Sequence, residues 1–162
     1  METPEIRLVP MTDGMFYGYF KELENDPDLF ADKSKFKPYV YSEEDVARYI
    51  KRQKDLGRVN LAVMCGGEIA GEVVLKNIEP HTCATMGIML KNASYKNRGI
   101  GTRAEKLAIE YVFRELDIPV LYADSLVSNA RSRRVLEKAG FEFLREEDGF
   151  AYYAINRKGV RL

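Results

Sequence analysis

The segment Lys96-Asn97-Arg98-Gly99-Ile100-Gly101-Thr102 stands between an apolar, strand-like run at residues 82–90 and the clearest helical pattern in the chain. After Gly101, the residues Ala104, Leu107, Ala108, Tyr111, Val112 and Leu116 recur at helical spacing, while Lys106, Glu110 and Arg114 stack four apart on the opposite face. Asp117-Ile118-Pro119 ends that pattern, and residues 120–127 read as a buried strand. A strand, a glycine turn, a helix and a second strand make a crossover, and a crossover joins parallel neighbours. The fold must therefore contain a parallel strand pair with a helix start at its open end.

The flanking segments fill in the rest of a mixed sheet. Residues 5–9 alternate as a short strand, and Thr12-Asp13 offers a cap to a helix with Met15, Phe16, Tyr19, Phe20 and Leu23 on its apolar face. Residues 25–39, with Pro27 and Pro38, read as irregular chain or short helical turns. Ser42-Glu43-Glu44-Asp45 resembles a capping box, and Tyr41 with Val46 is placed to staple the helix start; the helix runs to about Leu56 and stops at Gly57. Residues 61–64 and 69–78 form a hairpin at Gly66-Gly67, and residues 82–90 add a third strand. Beyond the crossover, Asn129 caps a helix that Gly140 terminates after Ala139, and residues 141–144 and 150–155 close the chain as a hairpin. The expectation is an α/β (mixed α+β) fold: a central, mostly antiparallel mixed sheet of six or seven strands with one parallel pair and about four helices. At 162 residues it forms one domain, residues 1–162, with room for one substantial core.

Composition removes several function classes. Lys plus Arg and Asp plus Glu balance at 25 each, so no net field draws nucleic acid or an anionic membrane. No apolar run reaches the roughly 20 residues that span a bilayer. Cys65 and Cys83 read as reduced thiols, the start of the chain carries no signal-peptide pattern, and a cytoplasmic location is expected. The single His81 and the absence of Cys-x-x-Cys spacing exclude the common zinc sites, so no metal is expected. His81 beside Cys83 reads as a surface histidine and a core cysteine rather than a thiol nucleophile.

The glycine turn has chemistry of its own. A helix start exposes unpaired N–H groups with partial positive charge, and glycines let an anionic group approach them without meeting a Cβ atom. A dinucleotide fingerprint needs a third glycine and a later acid, and a nucleotide P-loop needs Gly-Lys-Ser/Thr; neither is present. Lys96 to Thr102 resembles instead the acetyl-CoA loop of the GNAT superfamily of N-acetyltransferases, whose pattern is Arg/Gln-x-x-Gly-x-Gly/Ala. Gly99 and Gly101 match, and Lys96 stands at the Arg/Gln position. Asn129-Ala130-Arg131-Ser132, followed by Leu136-Glu137-Lys138-Ala139-Gly140-Phe141, is similar to the superfamily's second signature. The opening helix, Asn25-Asp26-Pro27 and the Asn-x-x-Ser form look most like the branch holding ribosomal-protein N-terminal alanine and spermidine acetyltransferases.

The resemblance implies acetyl-coenzyme A as cosubstrate and transfer of its acetyl group to a small-molecule amine or a protein N-terminus. It implies a GNAT-like fold in which the parallel pair is splayed, residues 86–90 parting from residues 120–127 around the pantetheine; it places Lys96, Asn97, Arg98, Gly99, Ile100, Gly101 and Thr102 at the diphosphate, the backbone of Met89 and Leu90 at the thioester carbonyl, and Asn129 and Ser132 along the pantetheine arm. Asn129 is equally an N-cap. Leu136 occupies the position of the superfamily's catalytic tyrosine, which leaves Ser132 as candidate proton donor; Thr85 stands near the usual glutamate, which leaves Glu72 and Asp124 as candidate bases through water. An α-amine, with an unperturbed pKa of roughly 7.7–8.0, needs less help from a base than a lysine-like amine near 10.4. The missing tyrosine and glutamate also motivate an alternative, a noncatalytic acyl-CoA-binding module on the same fold. Arg131, Arg133 and Arg134 reach a coenzyme phosphate or form a solvated face, Tyr152 and Tyr153 alternate across the last strand, and residues 30–41 with Glu43, Glu44 and Asp45 flank the acceptor side. Edge strands make a homodimer possible.

Overall fold

The structure, a computed structural model, describes residues 4–158. Seven strands form one sheet: β1 (Ile6–Pro10), β2 (Val59–Cys65), β3 (Glu68–Glu79), β4 (Cys83–Leu90), β5 (Val120–Leu126), β6 (Glu142–Glu147) and β7 (Phe150–Asn156). Four helices accompany them: α1 (Asp13–Lys21), α2 (Glu43–Asp55), α3 (Ile100–Arg114) and α4 (Ala130–Ala139). The strand order is β1-β2-β3-β4-β5-β7-β6, and every neighbouring pair is antiparallel except β4 with β5.

That parallel pair is short. It runs from Cys83 opposite Val120 to Met86 opposite Ala123, after which the strands part, although β4 continues to Leu90 and β5 to Leu126. The gap opens toward the glycine turn that starts α3.

Caps form where local chemistry demands them. Thr12 Oγ1 accepts from the Met15 N–H at 3.2 Å, Ser42 Oγ from the Asp45 N–H at 3.4 Å, and Asn129 Oδ1 from the Ser132 N–H at 3.1 Å. Gly140, with φ of 113°, stops α4 and returns its N–H to the Glu137 carbonyl.

Helices cover both faces of the sheet. Successive residues of β4 show this: Ile88 packs on the core that α3 and α4 share with the sheet, and Met89 packs on the second cluster beneath α1 and α2. The first core holds Leu61, Val73, Leu75, Leu121 and Tyr153 from the sheet, with Ile100, Ala104, Ala108 and Val112 from α3. The second holds Phe16, Tyr19, Phe20, Leu23, Val46 and Ile50, with Tyr41 packed beside Val46's cluster as the staple requires.

Three details differ from the sequence expectation. α3 begins at Ile100, whose side chain is fully buried, rather than after Gly101. Its buried stripe is Ile100, Ala104, Glu105, Ala108, Ile109 and Val112, with Leu107 and Tyr111 half-buried at its margin, because the helix rolls its Glu105 and Ile109 side onto the sheet. The polar stretch after β4 contains a 3-10 turn, Ala93–Tyr95, that buries Tyr95 and lets its hydroxyl donate to Glu68 Oε2 at 2.9 Å. Among the described residues, no helix is long and apolar enough to cross a membrane, and no three His, Cys, Asp or Glu side chains gather as a metal-binding group.

Candidate functional site

The helix caps single out α3. Gly99 occupies its N-cap position with φ of 77°, a left-handed conformation that glycine adopts without a Cβ penalty, and no side chain caps the helix. The first helical bond joins the Arg103 N–H to the Gly99 carbonyl. The amides ahead of it face outward with the positive end of a 15-residue helix behind them. Packing does not explain the second glycine, since a Cβ on Gly101 would make only an ordinary 3.6 Å contact with Val135 Cγ1. Gly101 instead keeps space open on the side of the cleft.

That cleft has a volume of about 340 Å³ and runs from the glycine turn into the gap between β4 and β5. Lys96, Asn97, Gly99, Gly101 and Thr102 line its mouth, and Met89, Leu90, Asn129 and Ser132 line its walls. Arg98 is exposed and Ile100 lies in the core, so neither side chain lines it; only their peptide groups belong to the turn. A second cavity of about 240 Å³ continues inward, where Gly87, Ser125, Leu136 and Asp124 meet Asn129 and Ser132.

The walls supply hydrogen-bonding groups where β5 is missing. The Lys91 N–H donates to the Ala70 carbonyl on β3 at 2.7 Å. By the two-residue alternation of a strand, Leu90 and Ile88 turn their peptide groups the other way, into the gap. The Met89 carbonyl accepts from the Tyr19 hydroxyl at 3.2 Å. Asn129 uses Oδ1 as the α4 cap, which leaves its Nδ2 without an acceptor among the described residues.

Cations dominate the mouth: Lys96, Arg131, Arg134 and Lys138. Two of them are already engaged. A 3-10 turn between α1 and α2, Pro27–Leu29, brings Asp26 into an ion pair with Lys96, and Arg131 Nη2 donates to Asp28 at 2.6 Å and to Asp26 at 3.4 Å. Burial pushes the Asp26 carboxyl up, but Lys96, the Asp28 amide and Arg131 outweigh it and hold the group below its ordinary value.

The carboxylates divide by location. Asp124 lies exposed on β5 and lines the inner cavity, near Lys76, Thr85, Tyr122 and Tyr152 on that face. Glu72 lies elsewhere: it is 2% exposed beneath α1 and α2, where Tyr49 donates a hydroxyl hydrogen bond to Oε1 and Asn60 Nδ2 donates at 3.4 Å. Burial raises its pKa against the opposing effect of those two bonds. The structure thus brings Asp124 and Ser132 together at the inner cavity and leaves Glu72 outside it.

Other motifs find structural partners. His81, with φ of 58°, contacts Asp117 at 3.3 Å on the surface, and burial pushes the Cys83 thiol up. Tyr153 is the inward member of its pair, accepting from Arg133 Nε at 3.0 Å, while Tyr152 lies under the Arg145 guanidinium at 4.5 Å.

Asp26, Leu29, Lys138 and Glu105 also line the cleft, although the sequence does not mark them as site residues. Glu105 was detectable as a lone carboxylate between Ala104 and Ala108 on an apolar stripe. Asp26 caps its own turn through the Asp28 amide, but its cationic partners come from distant segments. A cationic mouth with uncapped amides, leading to a channel walled by both apolar and hydrogen-bonding groups, suits a ligand with an anionic head and a long arm that mixes apolar and polar groups.

Comparison with known proteins agrees with this geometry. The model of the family described as acetyltransferase (GNAT) domain matches residues 5–142. Spermidine N(1)-acetyltransferase of Escherichia coli (strain K12) is 33% identical over 124 residues, 76% of this chain and 66% of that enzyme, so the match spans about two thirds of the relative's length. The putative ribosomal N-acetyltransferase YdaF of Bacillus subtilis (strain 168) is 25% identical over 114 residues, 70% of this chain and 62% of that protein. Among solved structures, aminoglycoside acetyltransferase AAC(6')-Ib in complex with coenzyme A and kanamycin superposes with a TM-score of 0.76 at 21% identity, covering 95% of this chain and 96% of that one, a likeness of fold. With the family model matched from β1 through β5, the glycine turn and α4, the chain belongs to the GNAT acetyltransferase domain family.

Proposed function

We propose that this chain is an acetyl-CoA-dependent N-acetyltransferase that moves an acetyl group from the thioester to a primary amine by direct attack. The observation that carries this reading is the start of α3, an uncapped glycine helix terminus opening at the head of the cleft where β4 and β5 part. Acetyl-CoA as cosubstrate supplies an acyl group already activated as a thioester.

The chain's own residues then divide the work. The amides of Arg98, Gly99, Ile100, Gly101 and Thr102, with Asn97 and the cations Lys96, Arg131 and Arg134, hold the diphosphate. The Leu90 peptide groups, with those of Ile88, border the acyl end of the channel, whereas alternation turns the Met89 N–H toward β3, and Asn129 Nδ2 serves the arm. Asp124, on the open face, attracts the incoming amine and takes its proton through water; Ser132 is the hydroxyl beside the departing thiol. The acceptor is a small-molecule amine or a protein N-terminus, a reading supported by similarity to relatives named for spermidine and for a ribosomal acceptor. The same reading has the enzyme cytoplasmic and extends to a homodimer through the exposed edge strand β6, which sedimentation velocity would test.

The decisive experiment is calorimetric titration of acetyl-CoA into the wild type and a Gly99→Asp variant, followed by thiol release over a panel of polyamines, amino sugars and peptides with free N-termini. Saturable binding lost in the variant, together with turnover on one acceptor class, is the expected result. Binding without turnover on any amine would move the chain to the noncatalytic acyl-CoA-binding module. Absence of binding by folded wild type would overturn the proposal.

A further inference from the structure

Glu105 is a buried carboxyl group lining the cleft that nothing above employs. It lies one turn beyond Gly101, on the α3 stripe that faces the sheet, with Ala104, Ala108 and Ile109 as its buried neighbours on the helix. It is 1% exposed, and its Oε2 has no hydrogen-bond partner. It borders both the outer cleft and the inner cavity, at the place where the two join.

An acid in such a position is costly unless something satisfies it, because burial penalises an unpaired polar group and penalises a charge far more. The charged groups around the two cavities do not reach it: Lys96, Arg131, Arg134, Lys138 and Asp26 sit at the mouth, and Lys76 and Asp124 sit at the inner end, with none paired to Glu105. Burial alone raises its pKa to about 8, so at neutral pH the group holds its proton. A protonated carboxyl both donates and accepts a hydrogen bond, and here it presents those capacities to the channel.

Length decides which part of a ligand it meets. Four residues of helix advance about 6 Å from Gly101. The arm of acetyl-CoA between diphosphate and sulfur is far longer, and carries a hydroxyl and two amides before the thioester. A side chain one turn from the diphosphate cradle therefore lies beside the amide-bearing stretch and short of the sulfur, which separates its role from proton delivery to the thiol.

We propose that Glu105 is a binding residue for the pantetheine arm, its carboxyl group hydrogen-bonding an amide or the hydroxyl of bound acetyl-CoA. This rests on the acetyl-CoA reading of the cleft. The proton must stay on for the contact to form as donor, so coenzyme binding opposes ionisation of Glu105.

The test is the affinity for coenzyme A and for its arm-less fragment adenosine 3',5'-bisphosphate, measured by calorimetry at pH 7 and pH 9 in the wild type, Glu105→Gln and Glu105→Leu. Wild type should bind coenzyme A about tenfold more weakly at pH 9 than at pH 7, as the group ionises. Glu105→Gln, neutral at both values, should lose most of that dependence, and Glu105→Leu should bind about tenfold more weakly at pH 7. The fragment should be insensitive to both substitutions. A carbonyl stretch of protonated carboxylic acid in the infrared spectrum of the free wild type, absent from Glu105→Gln, reports the proton without coenzyme, and thermal melts establish that the variants fold. Coenzyme A affinity unchanged in Glu105→Leu, with the fragment still bound, would overturn the role of Glu105 and leave the loop assignment intact; failure of wild type to bind either ligand would overturn both.

Discussion

The Lys96 ammonium at the foot of the glycine turn is ion-paired with Asp26 from the α1–α2 connection, and the two side chains are only 14% and 17% exposed. Asp26 also faces Arg131, so one carboxylate occupies two of the cations that line the mouth of the cleft. A diphosphate entering that mouth competes with Asp26 for them.

Asp26→Asn should therefore strengthen coenzyme A binding by roughly three- to tenfold at low ionic strength, an effect that shrinks as salt screens the mouth. The substitution removes a group whose pKa is lowered in the fold, so the lost stability is present above the ordinary carboxylate range and vanishes as pH falls through the lowered value. Calorimetry at two salt concentrations checks the first point. Weaker binding in the variant would mean that Asp26 orients Lys96 rather than competing for it.

Asn129 has two separable jobs. Asn129→Asp keeps an oxygen for the Ser132 N–H and should hold stability within about 0.5 kcal/mol, while removing the Nδ2 donor and weakening coenzyme A binding. Asn129→Ala should lose both, at about 1 kcal/mol in unfolding free energy. Equal affinity in the wild type and the Asp variant would reduce the residue to a cap.

The rolled face of α3 is measurable. Ile109, buried in the main core, should cost about 3 kcal/mol when cut to Ala, whereas the half-buried Leu107 should cost about half as much. Urea unfolding ranks the two, and the reverse order would restore the face centred on Leu107.

Glu105 also ties stability to pH. Its folded pKa, about 8, exceeds its ordinary 4.5, so between those values the native state binds a proton that the unfolded state has released. Stability should fall as pH rises through that window, by about 1.4 kcal/mol per pH unit and on the order of 4 kcal/mol across it. Below pH 4.5 the effect is absent. Urea midpoints of wild type against Glu105→Gln at pH 5, 6.5 and 8 isolate it, and parallel curves would show that Glu105 is ionised in the fold.

Local chemistry is legible in the sequence, and long-range pairing of side chains is not. The capping roles of Thr12, Ser42 and Asn129 are legible because capping is decided within four residues, and the parallel β4–β5 pair follows from crossover geometry. The stripe on α3 was misjudged because Leu107 and Tyr111 are as apolar as Ile109, and only the tilt of the helix on the sheet chooses between them. The strand position of Glu72 makes it a candidate base, but Tyr49 and Asn60, which hydrogen-bond it, come from other elements. Asp26 needed the folded path of residues 22–42, for which no periodicity exists.

The brief pairing of β4 with β5 makes the sheet two plates riveted at one end, β1 to β4 on one side and β5, β7 and β6 on the other. Beyond Met86 and Ala123 the described residues pair β4 with β5 no further. Anything lodged in the wedge becomes a mechanical component, stitching edges that the chain leaves open. Affinity for such a molecule and stiffness of the whole sheet are then one quantity, read once from the ligand and once from the protein.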